Sequence, residues 1–382
     1  MRKNKGMRQT QIVLVGPVYP YKGGIAHYTS LLYKALQQQF SVRLLSYKLQ
    51  YPRILYKKEQ KDYNNDLFRI SDAKFRINTA NPINWVITAR HIRRLRPDLV
   101  LIEWWHPYFA PCYWAICKLL SRVKVMFICH NVFPHERFPM DRFLTKMVLN
   151  QGDYFIVHSS QDEKDLISIR QNAVCHRTVH PTYNAFKIQN ITKEEARRQL
   201  DIPSEAPVLL FFGFVRPYKG LKHLLHAMPG ILERLHNARL LVVGDFAGDK
   251  EAYMDSIKGE KITGEVGIYD GYIPDRDVEK FFAACDVVVL PYESATQSGI
   301  VQIAYGFEKP VIATDVGGLP DVVVQGKTGY LVPPGDVDAL SNAVIGFFEG
   351  REANMFSTEI RREADRYSWK RLVSVIVELT GL

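Results

Sequence analysis

The feature that most constrains this chain is a pattern that runs through it twice. Short β-branched runs end in glycine or a turn, and each is followed by a polar loop and then by an amphipathic stretch. Residues 11–16 (QIVLVG) lead through a Pro/Gly loop into an amphipathic segment at 26–37. Further apolar runs at 42–45, 99–103, 123–129 and 154–158 alternate with helical patterns such as 85–95 and 140–149. Strands joined through helices cannot be hairpins, so the alternation predicts a parallel sheet covered on both faces. A polar, proline-containing stretch at 180–207 follows, and a second series begins, with strands expected at 208–213, 239–244, 261–263, 286–290 and 310–313. A chain of 382 residues exceeds what one core usually holds. Two doubly wound units in tandem are the simplest architecture, and ligands of such sheets bind beyond the carboxyl ends of the strands. The functional loops of both halves are therefore expected to face a central cleft.

Charge separates the same two halves. Residues 1–183 hold 28 Lys and Arg against 12 Asp and Glu, whereas residues 184–382 hold 22 against 28. A basic first half points to an anionic partner such as a membrane surface or a phosphorylated lipid. Nucleic acid shares that charge logic, but no nucleic-acid-binding motif accompanies it and none is expected as a partner. The apolar run at 108–120 is interrupted by Lys118 and falls short of the roughly 20 residues a bilayer span needs. No secretion signal is legible at the basic N-terminus, and the five cysteines lack paired or metal-type spacing. Together these predict a cytoplasmic protein with reduced thiols, in peripheral contact with the inner face of the plasma membrane.

Three loops carry the chemistry. GPVYPYKGGIAHY (16–28) sets Gly23 and Gly24 at a strand-to-helix turn, where bare amides and a helix N-terminus can approach an anion. FFGFVRPYKGLKHLL (211–225) sets Arg216 and Lys219 three residues apart just before a helix, a planar fork and a point charge suited to a diphosphate. PYESATQSGIVQIAYGFEKPVIATDVGGLPDVV (291–323) brings Glu293, then Thr296, Gln297, Ser298 and Gly299 at the opening of a helical run, then a glycine turn after the next strand. No DxD motif or His/Asp cluster offers a divalent-cation site.

These segments, with LLVVGD (240–245), GYIPDRDVEKFFAACDVVVLPY (271–292) and GKTGYLVPPGD (326–336), resemble the retaining glycosyltransferase family 4. The resemblance covers most of residues 208–340; in the first half it is carried by the double-glycine loop and by His130-Asn131 after KVMFIC. It implies the α/β GT-B fold, two Rossmann-like domains with parallel sheets. These are an acceptor domain over 1–183 and a nucleotide-sugar donor domain over 184–360, with a C-terminal helix at 361–382 packing back on the first. It implies retaining, metal-independent transfer of a sugar from a nucleoside-diphosphate sugar to a hydroxyl acceptor, in polysaccharide or glycolipid assembly, with no cofactor. By the same resemblance, Arg216 and Lys219 hold the donor diphosphate, Glu293 lies at the donor-sugar end, and His130 lies near the transferred sugar. Tyr272 and Ile273 are candidates for the base. From the residues themselves, Glu103, His106, His135 and Glu136 are candidates for a saccharide or lipid-linked acceptor, with Glu103 and His106 either a strand-end pair lining the cleft or surface residues under two tryptophans.

The family's two glutamates, the second of which holds the ribose, are absent: Ala295 and Ile303 occupy those positions, leaving Gln302 or Gln297 as substitutes. That departure keeps open a catalytically silent sugar-nucleotide-binding subunit, and within enzymes the competing reading is another GT-B activity such as a nucleotide-sugar epimerase.

Overall fold

The computed structural model describes residues 9–56, 59–134, 137–246, 248 and 250–382. It divides into two compact units: the residues up to Thr178 together with Trp369–Leu382, and Val179–Ser368.

The first unit alternates strand and helix from β1 (Gln11–Val15) and α1 (Gly24–Leu36) through β2 (Ser41–Leu49), β3 (Lys74–Asn78), α2 (Pro82–Leu95) and β4 (Leu99–Trp104). It continues with α3 (Ala110–Leu119), β5 (Lys124–Cys129), α4 (Asp141–Leu149), β6 (Tyr154–Val157), α5 (Ser160–Ile169) and β7 (Val174–Arg177). The strands pair in parallel in the order β3-β2-β1-β4-β5-β6-β7. Successive residues of the central strands serve opposite faces. Val13, Val100, Phe127 and Phe155 pack with α2, α3 and α4, whereas Ile12, Leu14, Leu101 and Ile128 pack on the α1 side. Burial on both faces explains why these strands read as unbroken apolar runs. Truncating one of them, as in Leu101→Ala, costs about 3 kcal/mol.

The second unit runs from α6 (Lys193–Gln199) and β8 (Val208–Phe212) to α7 (Leu221–Arg234), β9 (Arg239–Gly244), α8 (Lys250–Gly259) and β10 (Val266–Asp270). Then come α9 (Asp275–Ala284), β11 (Val287–Leu290), α10 (Gly299–Gly306), β12 (Val311–Thr314), β13 (Gly329–Val332), α11 (Val337–Glu349) and α12 (Ala353–Arg362). Its six strands are parallel in the order β10-β9-β8-β11-β12-β13. In this arrangement the loops after β8, β11 and β12 leave one end of the sheet side by side.

The structure moves several expected boundaries. The strand anticipated at 261–263 is a turn, with Lys261 at φ 57°, and β10 forms a few residues later. Tyr183 belongs with the second unit, where its N–H donates to Gln302 O at 3.3 Å. The C-terminal stretch is also divided: residues up to Ser368 stay with the second unit, where Tyr367 packs on Tyr305, and α13 (Trp369–Thr380) joins the first. There Leu372, Val373, Val375 and Ile376 enter the core beside Leu14 and Leu32. The apolar run at 108–120 folds as a short 3-10 turn and α3. Among the described residues no helix is long and apolar enough to cross a membrane.

Candidate functional site

In the second unit the sheet end is closed by loops that touch through their backbones. A Cβ on Gly220 (φ 66°) would lie 1.9 Å from Pro291 O, and one on Gly317 (φ 54°) would lie 1.4 Å from Ala295 O. Only glycine fits either position, by conformation and by space. These approaches draw the segments after β8, β11 and β12 into one cluster.

Lys219 stands inside it. Its Nζ lies 5.4 Å from the centre of the Tyr292 ring and within 3.2 Å of where a Cβ on Gly213 would be. Burial lowers its pKa, and the Arg216 guanidinium lowers it further. Among the described residues the ammonium has no hydrogen-bond or ion-pair partner, and neither does the exposed Arg216 side chain. A desolvated cation without an anion is costly, and a cation beside it adds to the cost. An anion bound beside them would relieve both.

The start of α10 supplies donors next to these cations. Ser298 is its N-cap and accepts the Ile300 N–H at 3.3 Å. The amides of Ser298 and Gly299 have no acceptor among the described residues, as the first turn of a helix leaves them. Tyr292, raised to about 12 by burial, is fixed behind them, its carbonyl accepting Thr314 Oγ1 at 2.5 Å. Thr296 and Gln297 complete the loop; each has an interaction of its own, and Gln297 Oε1 is buried without a hydrogen-bond partner among the described residues.

Glu293 is anchored in a way the sequence did not reveal. Its N–H donates to Tyr218 O at 2.7 Å, and its carboxylate receives Lys222 Nζ at 2.8 Å and His223 Nε2 at 2.9 Å. Those two bonds hold its pKa down, Lys222 first. Lys222 and His223 lie in the first turn of α7; their signal was the LKH that directly follows Arg216 and Lys219.

Gln302 is corrected. It is 1% exposed within α10, a helix buried nearly all round, so its side chain does not reach a ligand in this structure. Its Oε1 has no partner among the described residues. Tyr272 and Ile273 are half-buried, in the loop after β10, the edge strand of the sheet.

In the first unit Gly23 (φ 105°) caps α1, and a Cβ on either Gly23 or Gly24 would meet nothing within 4 Å, so the loop is open above both. His130 follows β5, its N–H donating to Trp104 O at 2.8 Å. Its Nε2 is 2.7 Å from Glu103 Oε2. Glu103 is fully buried at 0% exposure, its Cγ packed where Gly16 has no side chain, and its Oε1 has no partner among the described residues. Burial pushes the Glu103 carboxyl well up and the His130 imidazole down to about 3, so the site disfavours charge on either partner. The expected pairing of Glu103 with His106 is therefore wrong. Glu103 turns inward to His130, while His106 caps the following 3-10 turn, its Nδ1 accepting the Tyr108 N–H at 3.1 Å. Glu103 cannot touch an acceptor from where it lies. Around His130 the structure adds Tyr28, edge-on at 4.5 Å, and His158, which meets Tyr28 Oη at 3.0 Å and Thr178 O through Nδ1 at 3.0 Å. His135 and Glu136 lie outside the described residues. Among the described residues no three His, Cys, Asp or Glu side chains cluster as a metal site.

Two doubly wound parallel sheets, one ending in a cluster of unpaired cations and amides, define the class, and comparison with solved structures agrees. Sucrose-phosphate synthase from Thermosynechococcus elongatus superposes with a TM-score of 0.74, covering 97% of this chain and 98% of that one at 18% identity. Anabaena Alr3699/HepE, solved in complex with UDP, gives 0.74 over 98% and 100% at 16% identity. Such identities speak for the fold, which is GT-B. The family models for Glycosyltransferase Family 4 and Glycosyl transferases group 1 match residues 22–185 and 192–364. The chain belongs to glycosyltransferase family 4. Its relatives include the D-inositol 3-phosphate glycosyltransferase of Mycobacterium marinum, 27% identical over 69% of this chain and 58% of that protein. The sulfoquinovosyl transferase SQD2 of Arabidopsis thaliana is 27% identical over 45% of this chain and 32% of that protein.

Proposed function

We propose that this protein is a retaining, metal-independent glycosyltransferase that moves a sugar from a nucleoside-diphosphate sugar to a hydroxyl of a saccharide or lipid-linked acceptor, in polysaccharide or glycolipid assembly. The observation that carries the reading is the half-buried Lys219 ammonium, which has no anionic partner among the described residues, beside Arg216 and the open amides of Ser298 and Gly299. The solved neighbour that carries UDP-glucose, Anabaena Alr3699/HepE, supports a donor of that class.

As the bond from the anomeric carbon to phosphate lengthens, negative charge gathers on the departing diphosphate. Cations and fixed amides already in place stabilise that charge more in the transition state than in the bound donor. In this reading the acceptor oxygen forms its bond on the face the phosphate leaves, and its proton passes to the departing phosphate oxygen. No carboxylate base is needed. Glu293, held by Lys222 and His223, lies beside the cluster as a fixed acceptor for donor-sugar hydroxyls. The ribose is held without the family's usual second glutamate, because Ile303 stands there and Gln302 is buried. The basic first unit meets a membrane surface in peripheral contact on the cytoplasmic side, where a lipid-linked acceptor would be presented.

A thermal-shift panel of UDP-, GDP- and ADP-sugars tests the donor class. A donor at 100 times its dissociation constant stabilises the fold by about 2.7 kcal/mol. With the donor so found, Lys219→Ala and Arg216→Ala each lower turnover about a hundredfold at saturating donor. Rates like the wild type in both variants contradict the proposal.

A further inference from the structure

The exposed apolar side chains of this protein are unevenly placed. Of the 16 large ones among the described residues, 13 belong to the first unit, which is also the basic one. Six of them lie on or beside three neighbouring helices that cover one face of the sheet. These are Ile83 and Ile87 on α2, Trp114 and Leu119 on α3, and Met140 and Phe143 at the start of α4. Ile83 is 73% exposed and Phe143 62%. The inner faces of the same helices are spent on the core, through Ile92, Tyr113, Ile116 and Val148. What remains outside is therefore a second apolar stripe that folding does not use.

Cations are interleaved with that stripe. On α2 the exposed positions Ile83, Ile87, Arg90 and Arg94 follow one another at helical spacing along a single face. Lys118 sits one turn beyond Trp114, and Lys146 one turn beyond Phe143. Arg90, Arg93, Arg94, Lys118 and Lys146 have no acidic partner among the described residues. α2 and α3 contain no Asp or Glu, and the one acid of α4, Asp141, is buried and held by Arg137. The outer surface of the three helices is thus apolar and positive, and among the described residues the helices themselves offer no exposed acid to offset it.

We propose that this face of α2, α3 and α4 is the docking surface for an anionic lipid bilayer. A protein partner would favour an apolar centre cleared of charge, with polar groups at the rim. Here five of the six apolar residues have a cation within about a turn, and Ile83 stands two turns from Arg90 on the same face, the arrangement of an interfacial helix. Apolar tips enter the headgroup boundary while Arg and Lys stems lie along it and place their charges among lipid phosphates. The inference rests on the peripheral-membrane part of the proposed function and specifies which surface makes the contact.

The test is flotation of the full chain with vesicles of phosphatidylcholine alone or mixed with phosphatidylglycerol, at low and high salt, without donor or acceptor. Its failure would therefore leave the diphosphate reading untouched. The expected result is recovery with the anionic vesicles only, reduced by salt. Ile87→Glu with Trp114→Glu, and Arg90→Glu with Arg94→Glu, should each reduce partitioning about tenfold or more. Met355→Glu, an exposed apolar position on α12, should change nothing. All these sites are exposed, and circular dichroism confirms that the variants fold. Equal recovery with neutral and anionic vesicles overturns the proposal. So does unchanged binding in both double variants, or a self-association of the wild type that the apolar double variant abolishes while vesicle binding persists.

Discussion

Single residues in this protein carry charge arrangements that make sense only against their burial. His130 and His158 are neutral in the fold, each held at about 3 by the loss of water around the ring, His158 also by the neighbouring His130. In the unfolded chain both take up protons below about 6.5. Their contribution to stability is therefore present above that pH and lost as pH falls below it. Glu103 acts in the opposite sense. Its carboxyl keeps a proton in the fold that it gives up when unfolded above about 4.5, so its contribution fades as pH rises. The two histidines and the glutamate therefore pull the pH profile of stability in opposite directions. Glu103→Gln should remove the loss of stability that sets in as pH rises above about 4.5, a change of up to about 1.4 kcal/mol per pH unit in the slope of a denaturation series. An unchanged profile would mean that the Glu103 carboxyl is ionised despite its burial. This pairing was not legible in the sequence. Glu103 and His130 are 27 residues apart and meet only because β4 and β5 lie side by side, with Glu103 opposite Ile128. Read alone, the segment EWWHP drew Glu103 toward His106, its near neighbour in sequence.

At the scale of elements, legibility followed burial. The central strands were visible because both of their faces are covered, so β1, β4, β8 and β11 read as continuous apolar runs. The edge strands β3, β7 and β13 were missed. KFRIN and VCHR are half exposed, and an edge strand covered on one side carries no such run. The strand at β10 was placed too early, on the KIT of a turn, because Gly267 and a half-exposed surface weaken its own pattern. In the cluster at the end of the second sheet, spacing within one loop singled out Arg216 and Lys219. It could not reveal that Glu293 is gripped by the first turn of α7, or that α10 turns Gln302 inward. The backbone approaches that assemble these loops are open to test. Gly220→Ala adds a methyl into a backbone carbonyl at a positive φ, and is expected to lower the unfolding free energy by about 3 kcal/mol in urea titrations and to remove the thermal response to donor. Wild-type stability in that variant would show that the loop has room the structure lacks.

For the whole molecule, two parallel sheets divide the work by charge. The basic unit carries the exposed apolar face and a buried polar network, while the acidic unit carries the anion-seeking cluster. In the proposed reaction the protein's own cations and amides take the place that a divalent ion occupies in other diphosphate chemistry. Transfer rates should therefore be the same with and without an excess of EDTA. A loss of activity on chelation, restored by magnesium or manganese, would move charge stabilisation from the side chains to a metal.

The central claim is that Lys219 and its neighbours await a diphosphate, and calorimetric titration with UDP, GDP and ADP tests it without an acceptor or a chosen sugar. The account predicts that at least one of the three binds the wild type and binds Lys219→Ala about tenfold or more weakly, since a charge-assisted bond is lost. Equal affinity of the two proteins for every diphosphate, with the variant folded, would contradict it.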